Sequence, residues 1–331
     1  VSAVACLAAA TDAVEAAVAD RIPGAALGVV ARAGDRAVAV RGLAQREPDR
    51  VTLRRDTWFD LASLTKVLFT TPAILRLVAQ GRIGLDDALT VAIPDLRQYD
   101  RAAAERGLTF RQCLAHQTHL PAVEPLYTYG QDPMTLRAFI LQRVWQAGPP
   151  VYSDINFMLL GIAIERLTGR ALGEQPLPPG FAFGAEPADS AATERCAWRG
   201  RVMRGEVHDE NAFALGGAAG HAGLFGTVDG VLDAALGVLR AAEPALEAMR
   251  ERQSDTRTLG WMARHEGWPG GDLCSDETIG HTGFTGTGLW IDFGRDVAWT
   301  LLTNRVHPTR HRDTGIEALR RQVGDLICGA A

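Results

Sequence analysis

Strand-like runs stand at both ends of this chain, and helical spacing fills the stretch between them. Near the start, Ala25–Ala31 and Arg36–Val40 flank the turn Ala33-Gly34-Asp35. Near the end, Thr287–Phe293 and Val297–Thr303 flank Gly294-Arg295-Asp296. Both patterns read as hairpins. A chain with strands at its two ends and helices between them builds one sheet from both termini and carries a helical insertion. The expected fold class is α/β (α+β): an antiparallel sheet from the two termini, flanked by helices, with an inserted mainly helical lobe. The expected division is residues 1–60 plus 255–331 for the sheet lobe and 61–254 for the helical lobe and connecting elements, as a single catalytic unit. A functional site then belongs at the seam between the lobes.

Smaller signals fill in the frame. Thr11–Asp20 reads as an amphipathic helix, broken by Ile22-Pro23-Gly24. Leu61 to Gln80 has helical spacing up to Gly81, with Pro72 inside it predicting a kink. Thr135–Trp145, Asn156–Leu167 and Val228–Ala242 are helical, and Glu317–Ile327 is a closing helix. The Pro/Gly-rich run 174–180 reads as a surface crossing, and no internal repeat is present.

Composition excludes several classes of function. The net charge of −5 in 331 residues offers no basic face for nucleic acid or anionic lipid. No apolar run approaches the roughly 20 residues of a membrane span. The opening VSAVACLAAATDAVEAA lacks a basic leader, and Asp12 and Glu15 interrupt it, so it reads as the start of the fold. That reading favours a cytoplasmic location, with export as the alternative. The five cysteines form no C-x-x-C and read as buried free thiols. His116 and His119, and His307 and His311, have ligand-like spacing, but no H-E-x-x-H or third ligand accompanies them. Neither a metal nor a cofactor is expected. The expected partner is a small-molecule or peptide substrate; oligomeric state is not legible.

Among the 34 basic residues only Lys66 is a lysine. Arginine cannot act as a base in a protein, whereas a desolvated lysine can do so near neutral pH. Lys66 closes the tetrapeptide Ser63-Leu64-Thr65-Lys66. Positions i and i+3 share a helical face, so its amine can reach the Ser63 hydroxyl. Backbone N–H groups at a helix start can stabilise an oxyanion. Tyr152-Ser153-Asp154 stands at a loop–helix junction, where a tyrosine can pass a proton between nucleophile and leaving group. His281-Thr282-Gly283, then Phe284-Thr285-Gly286, precedes the last hairpin. Its small residues allow a substrate backbone to lie along a strand edge. Asn304 and Arg305, at the end of the last strand, are candidates to face the substrate. No G-x-S-x-G or P-loop is present.

In this order and spacing the three motifs resemble the penicillin-recognising serine hydrolases: class C β-lactamases, low-molecular-weight penicillin-binding proteins and related esterases. Their boxes are S-x-x-K, Y-x-N or Y-S-x, and K-T-G or H-T-G. The similarity runs over nearly the whole chain, including Trp58–Ala62, Leu108–Pro121, Val151–Gly161 and Gly220–Phe225. The stretch from Arg199 to Phe225 looks most like members of the penicillin-binding-protein-4B type. The resemblance implies a β-lactamase/transpeptidase-like fold and an acyl-enzyme at Ser63, with Lys66 as base and Tyr152 in the proton relay. It implies an oxyanion hole from the N–H groups of Ser63 and Phe284, and substrate contacts from Asp154, His281, Thr282, Gly283 and Asn304. The expected activity is hydrolysis of an ester, amide or β-lactam. An inactive member that binds a peptide or cell-wall fragment, or an acyl transferase, is the alternative.

Three positions and one length depart from the family pattern. Asp154 stands where Asn is common, and His281 replaces a lysine that helps hold a carboxylate. His119 sits where glycine is usual, and the chain is short after Gly169-Arg170. A histidine titrates near pH 6.5, and nearby Lys66 lowers that value, so His281 is expected to be neutral at a pH of about 7–8. The matching expectation is a preference for uncharged esters or amides over β-lactams.

Overall fold

A computed structural model of the chain describes residues 1–241 and 244–331. Both hairpins join a single seven-stranded antiparallel sheet. From the N-terminal part come β1 (Gly24–Ala31), β2 (Arg36–Gln45) and β3 (Val51–Thr52). From the C-terminal part come β4 (Met262–Ala263), β5 (Ile279–Thr282), β6 (Gly288–Asp292) and β7 (Val297–Thr303). The order across the sheet is β3-β2-β1-β7-β6-β5-β4, so the two ends of the chain meet at the β1–β7 pair. Leu27 lies opposite Leu301 there.

Strand periodicity explains why β1 is apolar throughout. Ala25, Leu27 and Val29 point into one core, and Ala26 and Val30 into another. A strand buried on both faces carries no polar alternation. The first core is closed by α1 (Ala3–Asp20) and by the C-terminal helix Ile316–Ala330. Helix α1 begins at Ala3 rather than Thr11, because the Ser2 hydroxyl caps it by accepting the Ala5 N–H at 3.3 Å. Its buried residues Ala3, Cys6, Ala10, Val14 and Ala17 fall on one helical stripe.

The second core holds the inserted helices: α2 (Thr71–Ala79), α3 (Asp154–Thr168) and α4 (Val228–Leu239). The expected 228–242 helix ends at Leu239, and residue 242 lies outside the described residues. Gly28 of β1 admits α4 closely; a Cβ there would lie 2.9 Å from Leu232. The expected 317–327 helix is observed as α5 (Ile316–Ala330). A small three-stranded patch pairs Phe59–Asp60 and Phe181–Phe183 with Leu224–Gly226. It delivers the chain to Ser63. Among the described residues no helix is long and apolar enough to cross a membrane.

Candidate active site

The chain reaches Ser63 through a constrained turn. Ala62 has φ +48°, an uncommon backbone conformation for a residue with a Cβ. Asp60 holds it there: one carboxylate oxygen accepts the Ala62 N–H at 2.8 Å, and the other accepts the His208 N–H at 2.6 Å. Burial raises the Asp60 carboxyl despite these bonds.

Beyond Ser63 the helix is interrupted close to Pro72, as the proline predicts, and the interruption takes the form of a π-helical turn. Lys66 N–H donates to the Ser63 carbonyl at 3.1 Å, three residues back. Lys66–Thr70 then forms a π-helical turn, in which the Thr71 N–H reaches Lys66 O. Pro72, in the first turn of α2, has no N–H to continue an α-helical register back to Leu68. The serine and lysine still share one face, and Lys66 Nζ donates to Ser63 Oγ at 2.9 Å.

Lys66 is fully buried. Its Nζ also donates to the His221 carbonyl at 3.1 Å and lies 4.9 Å from the centre of the Tyr152 ring. Asp154 Oδ1 is 2.8 Å away, an ion pair whose angles are not those of a directed hydrogen bond. Burial pushes the Lys66 amine down, but Asp154, and then Tyr152, outweigh it, and the net shift is upward. The resting lysine is therefore an ammonium. The ion pair also gives Asp154 a partner inside the protein.

Tyr152 sits on a shelf made by His116, with ring centres 4.5 Å apart. His116 is fixed by accepting the Ser153 N–H at Nδ1, 3.0 Å away, which also fixes the loop–helix junction. His281 also lies near Tyr152, with ring centres 5.8 Å apart. It lies on β5, whose edge is open there because β4 pairs only with Ile279 and Gly280. His281 Nδ1 is 2.9 Å from the Thr282 carbonyl, so the proton sits on Nδ1, and the buried Nε2 has no partner among the described residues. Burial first, then Lys66 and Arg257, push its pKa well below the usual histidine value.

These residues meet at one cavity of about 540 Å³. Ser63, Tyr152, Asp154, His281, Thr282, Gly283 and Phe284 all line it. Asn304 does not. It is buried, accepting the Gly24 N–H at 3.0 Å and donating to the Ala44 carbonyl at 3.0 Å, and so ties β1 to the end of β2. Its neighbour Arg305 does line the wall and donates to the Phe284 carbonyl at 2.7 Å.

Sequence reasoning missed several wall residues: Arg257, Arg310, Glu317 and Arg320. Each comes from a loop or helix remote from the motifs, so no local spacing marked it. Arg310 is tied to Glu194, whose carboxyl burial would raise; His208 and Arg310 instead hold it down to about 2. Arg257 differs. It forms no ion pair among the described residues, its Nη1 is buried without a partner, and its guanidinium lies 5.1 Å from the Tyr152 ring centre.

Among the described residues neither histidine pair joins a third metal-ligating side chain. His116 supports Tyr152. His307 accepts the Arg46 N–H at Nε2 and bonds the Thr193 carbonyl through Nδ1. Away from the cavity, Cys274, Asp292 and Cys328 bring three donor atoms within 4.8 Å. That cluster is already occupied. Asp292 accepts bonds from Ser275 and Arg295, and the Cys274 thiol donates to the Gly270 carbonyl at 2.9 Å. The Cys328 thiol, burial and nearby carboxylates raise the Cys274 pKa, which disfavours the thiolate a metal needs.

Comparison with known proteins agrees with this geometry. The Beta-lactamase family model matches residues 10–323. N-acetylmuramyl-L-alanine amidase of Bacillus subtilis (strain 168) is 31% identical, over 79% of this chain and 70% of that protein. A protein of Escherichia coli (strain K12) named "Putative D-alanyl-D-alanine carboxypeptidase" is 28% identical, over 76% of this chain and 70% of that protein. The crystal structure of a β-lactamase from Sulfitobacter sp. EE-36 superposes with a TM-score of 0.75 at 20% identity, covering 99% of each chain. The chain thus belongs to the β-lactamase family and is a serine hydrolase of the β-lactamase/penicillin-binding-protein type, acting on an ester, amide or β-lactam.

Proposed function

We propose that the protein hydrolyses acyl substrates with a carboxylate close to the scissile bond, such as peptides ending in D-alanyl-D-alanine, through an acyl-enzyme at Ser63. The observation that carries the nucleophile is the 2.9 Å contact between Ser63 Oγ and the chain's one lysine, at the wall of the cavity. Ser63 Oγ attacks the carbonyl carbon, and its proton passes to Lys66 once that amine is neutral. Tyr152 carries the proton on to the leaving amine or alcohol, and water later releases the acyl group. The N–H groups of Ser63 and Phe284 receive the oxyanion.

The carboxylate preference rests on Arg257. A neutral His281 offers no charge to an anion, which by itself favours uncharged substrates. Arg257 supplies a cation on the same wall with no carboxylate of its own, and a guanidinium forms paired bonds to a carboxylate. The relative named as a putative D-alanyl-D-alanine carboxypeptidase supports this substrate class, since such a peptide carries its terminal carboxylate beside the cleaved bond.

The test has two arms. A fluorophosphonate should label the protein stoichiometrically and fail to label Ser63→Ala; full labelling of the alanine variant by intact mass would remove Ser63 from the mechanism. A peptide ending in D-alanyl-D-alanine should be cleaved at least about tenfold better than its C-terminal amide, and Arg257→Met should erase that ratio. A ratio near one in the wild type would favour a neutral-ester hydrolase instead.

A further inference from the structure

An N–H that receives an oxyanion must be held in a fixed direction, and the Phe284 N–H is held indirectly. Phe284 lies in the turn Gly283–Gly286, after β5, and its N–H donates no hydrogen bond among the described residues. A free donor in a turn has no partner of its own to hold it. The peptide unit it belongs to also contains the Gly283 carbonyl. In a planar trans peptide, that C=O and the Phe284 N–H point in opposite directions. Whatever grips the carbonyl therefore aims the N–H.

Two donors grip it. Gly286 N–H closes the turn onto Gly283 O at 3.0 Å. Arg320, from α5, donates from Nη2 to the same oxygen at 2.9 Å and to the Thr287 carbonyl at 2.7 Å. The Arg320 side chain is 3% exposed, and its carboxylate partner Glu317, bound at 2.7 Å, is 71% exposed. Most of the charge is thus directed at two backbone carbonyls rather than neutralised by an enclosed anion. The turn is fastened elsewhere as well: Thr285 Oγ1 donates to Asp60 O at 2.7 Å and Thr287 Oγ1 to Leu61 O at 3.1 Å. Those bonds register the turn on the segment that leads to Ser63.

We infer that Arg320 is a positioning residue for the oxyanion hole: by holding the Gly283 carbonyl it orients the Phe284 N–H and strengthens it as a donor. The strengthening follows from cooperativity. An amide whose oxygen accepts a bond from a cation is polarised, and its N–H becomes a better donor. The effect is felt as negative charge develops on the substrate oxygen, so it belongs to the transition state rather than to ground-state binding. The inference rests on the acyl-enzyme reading above.

The test is Arg320→Met, which keeps an apolar stem and removes the clamp, with Arg320→Lys alongside it. Each is measured for fluorophosphonate acylation, for kcat and KM on a neutral ester, and for affinity toward a boronic acid that forms a tetrahedral adduct on serine. The methionine variant should acylate about tenfold slower or worse, below the loss of a whole oxyanion donor, with KM changed less than about twofold. Boronate affinity should fall in parallel, and lysine should restore part of both. Wild-type acylation and boronate affinity in a folded Arg320→Met protein would overturn the inference, as would a loss confined to KM. If Arg320→Met does not fold, Arg320→Lys and the exposed Glu317→Gln decide by the same readouts. Failure of the wild type to acylate at Ser63 would instead overturn the acyl-enzyme reading itself.

Discussion

Lys66 meets a carboxylate where the family pattern commonly supplies an amide, and that single substitution sets when the lysine can act as a base. An ammonium 2.8 Å from Asp154 is stabilised, and its pKa is raised rather than lowered. Accepting the Ser63 proton requires that ammonium to lose one first. The acylation rate is thus expected to climb with pH through the neutral range. Asp154→Asn removes the countercharge and leaves burial, which favours the neutral amine. The midpoint of the acylation profile should move down by at least about one pH unit, read from fluorophosphonate kinetics. An unmoved midpoint would mean that Lys66 does not control the rate. Lys66→Arg keeps the charge, abolishes the base, and should cost at least about a hundredfold in turnover. From sequence, Ser63 and Lys66 were legible because three residues of spacing bring them together in almost any helical turn. The consequence of Asp154 was not, since nothing local says that its side chain turns toward the lysine rather than toward substrate.

At the scale of elements, the sheet and its closing helices followed from pattern, while the contacts that aim the site did not. The two terminal hairpins are apolar runs around clear turns, so both were readable, and the β1–β7 pairing merges them into one sheet. The interruption near Pro72 was legible from the proline, but its form, a π-helical turn starting at Lys66, was not. Arg257 and Arg320 look like ordinary surface arginines in sequence; only tertiary packing brings them to the cavity. Asn304 errs in the other direction: it is adjacent to a wall residue but turned into the β1–β2 connection. The loop that holds Lys66 shows how backbone contact does the aiming. Gly220 and Gly161 of α3 face each other, and a Cβ on Gly220 would stand 2.0 Å from the Phe157 carbonyl. Thr70 Oγ1 donates to Gly220 O at 2.6 Å, and the next residue, His221, offers its carbonyl to Lys66. Gly220→Ala should destabilise the protein by about 2 kcal/mol or more, since the obstacle is backbone and cannot rotate away. It should also slow acylation of the folded fraction, because the His221 carbonyl must shift. Thermal melts with acylation rates check both, and a variant normal in each would show that the contact yields freely.

The whole molecule titrates as a consequence of how it buries its polar groups. His116 and His281 are held neutral well below their usual pKa, chiefly by burial, and His307 is lowered by the same cause. For such a group the unfolded chain binds the proton more readily. Its contribution to stability is complete above the unfolded value of about 6.5 and is lost as pH falls below it. Glu194 and Asp209 are depressed carboxylates: burial opposes the shift, but His208 and Arg310 hold the first, and His221 holds the second. Their contribution is complete above about pH 4.5 and is lost as pH falls toward the folded value, about 2 for Glu194. Asp60 works the other way: its raised pKa favours the folded state on acidification, but it is one group against five. Lys66 sets the alkaline side, since an amine raised by folding gives stability that is lost only as pH climbs past its unfolded value of about 10.4. Stability should therefore decline in two stages on the acid side, one beginning below about pH 6.5 and one below about pH 4.5, with a broad plateau from neutral to mildly alkaline pH. Urea unfolding from about pH 3.5 to 9 measures this directly. His116→Asn should shrink the first stage by one of its three histidines and Glu194→Gln the second by one of its two carboxylates, each leaving the other stage in place. A single acid transition, or stability that rises as pH falls from about 6.5 to 5, would mean that these histidines are not buried in the neutral form. On that plateau the small neutral fraction of Lys66 grows with pH, so the folded state persists while acylation speeds up.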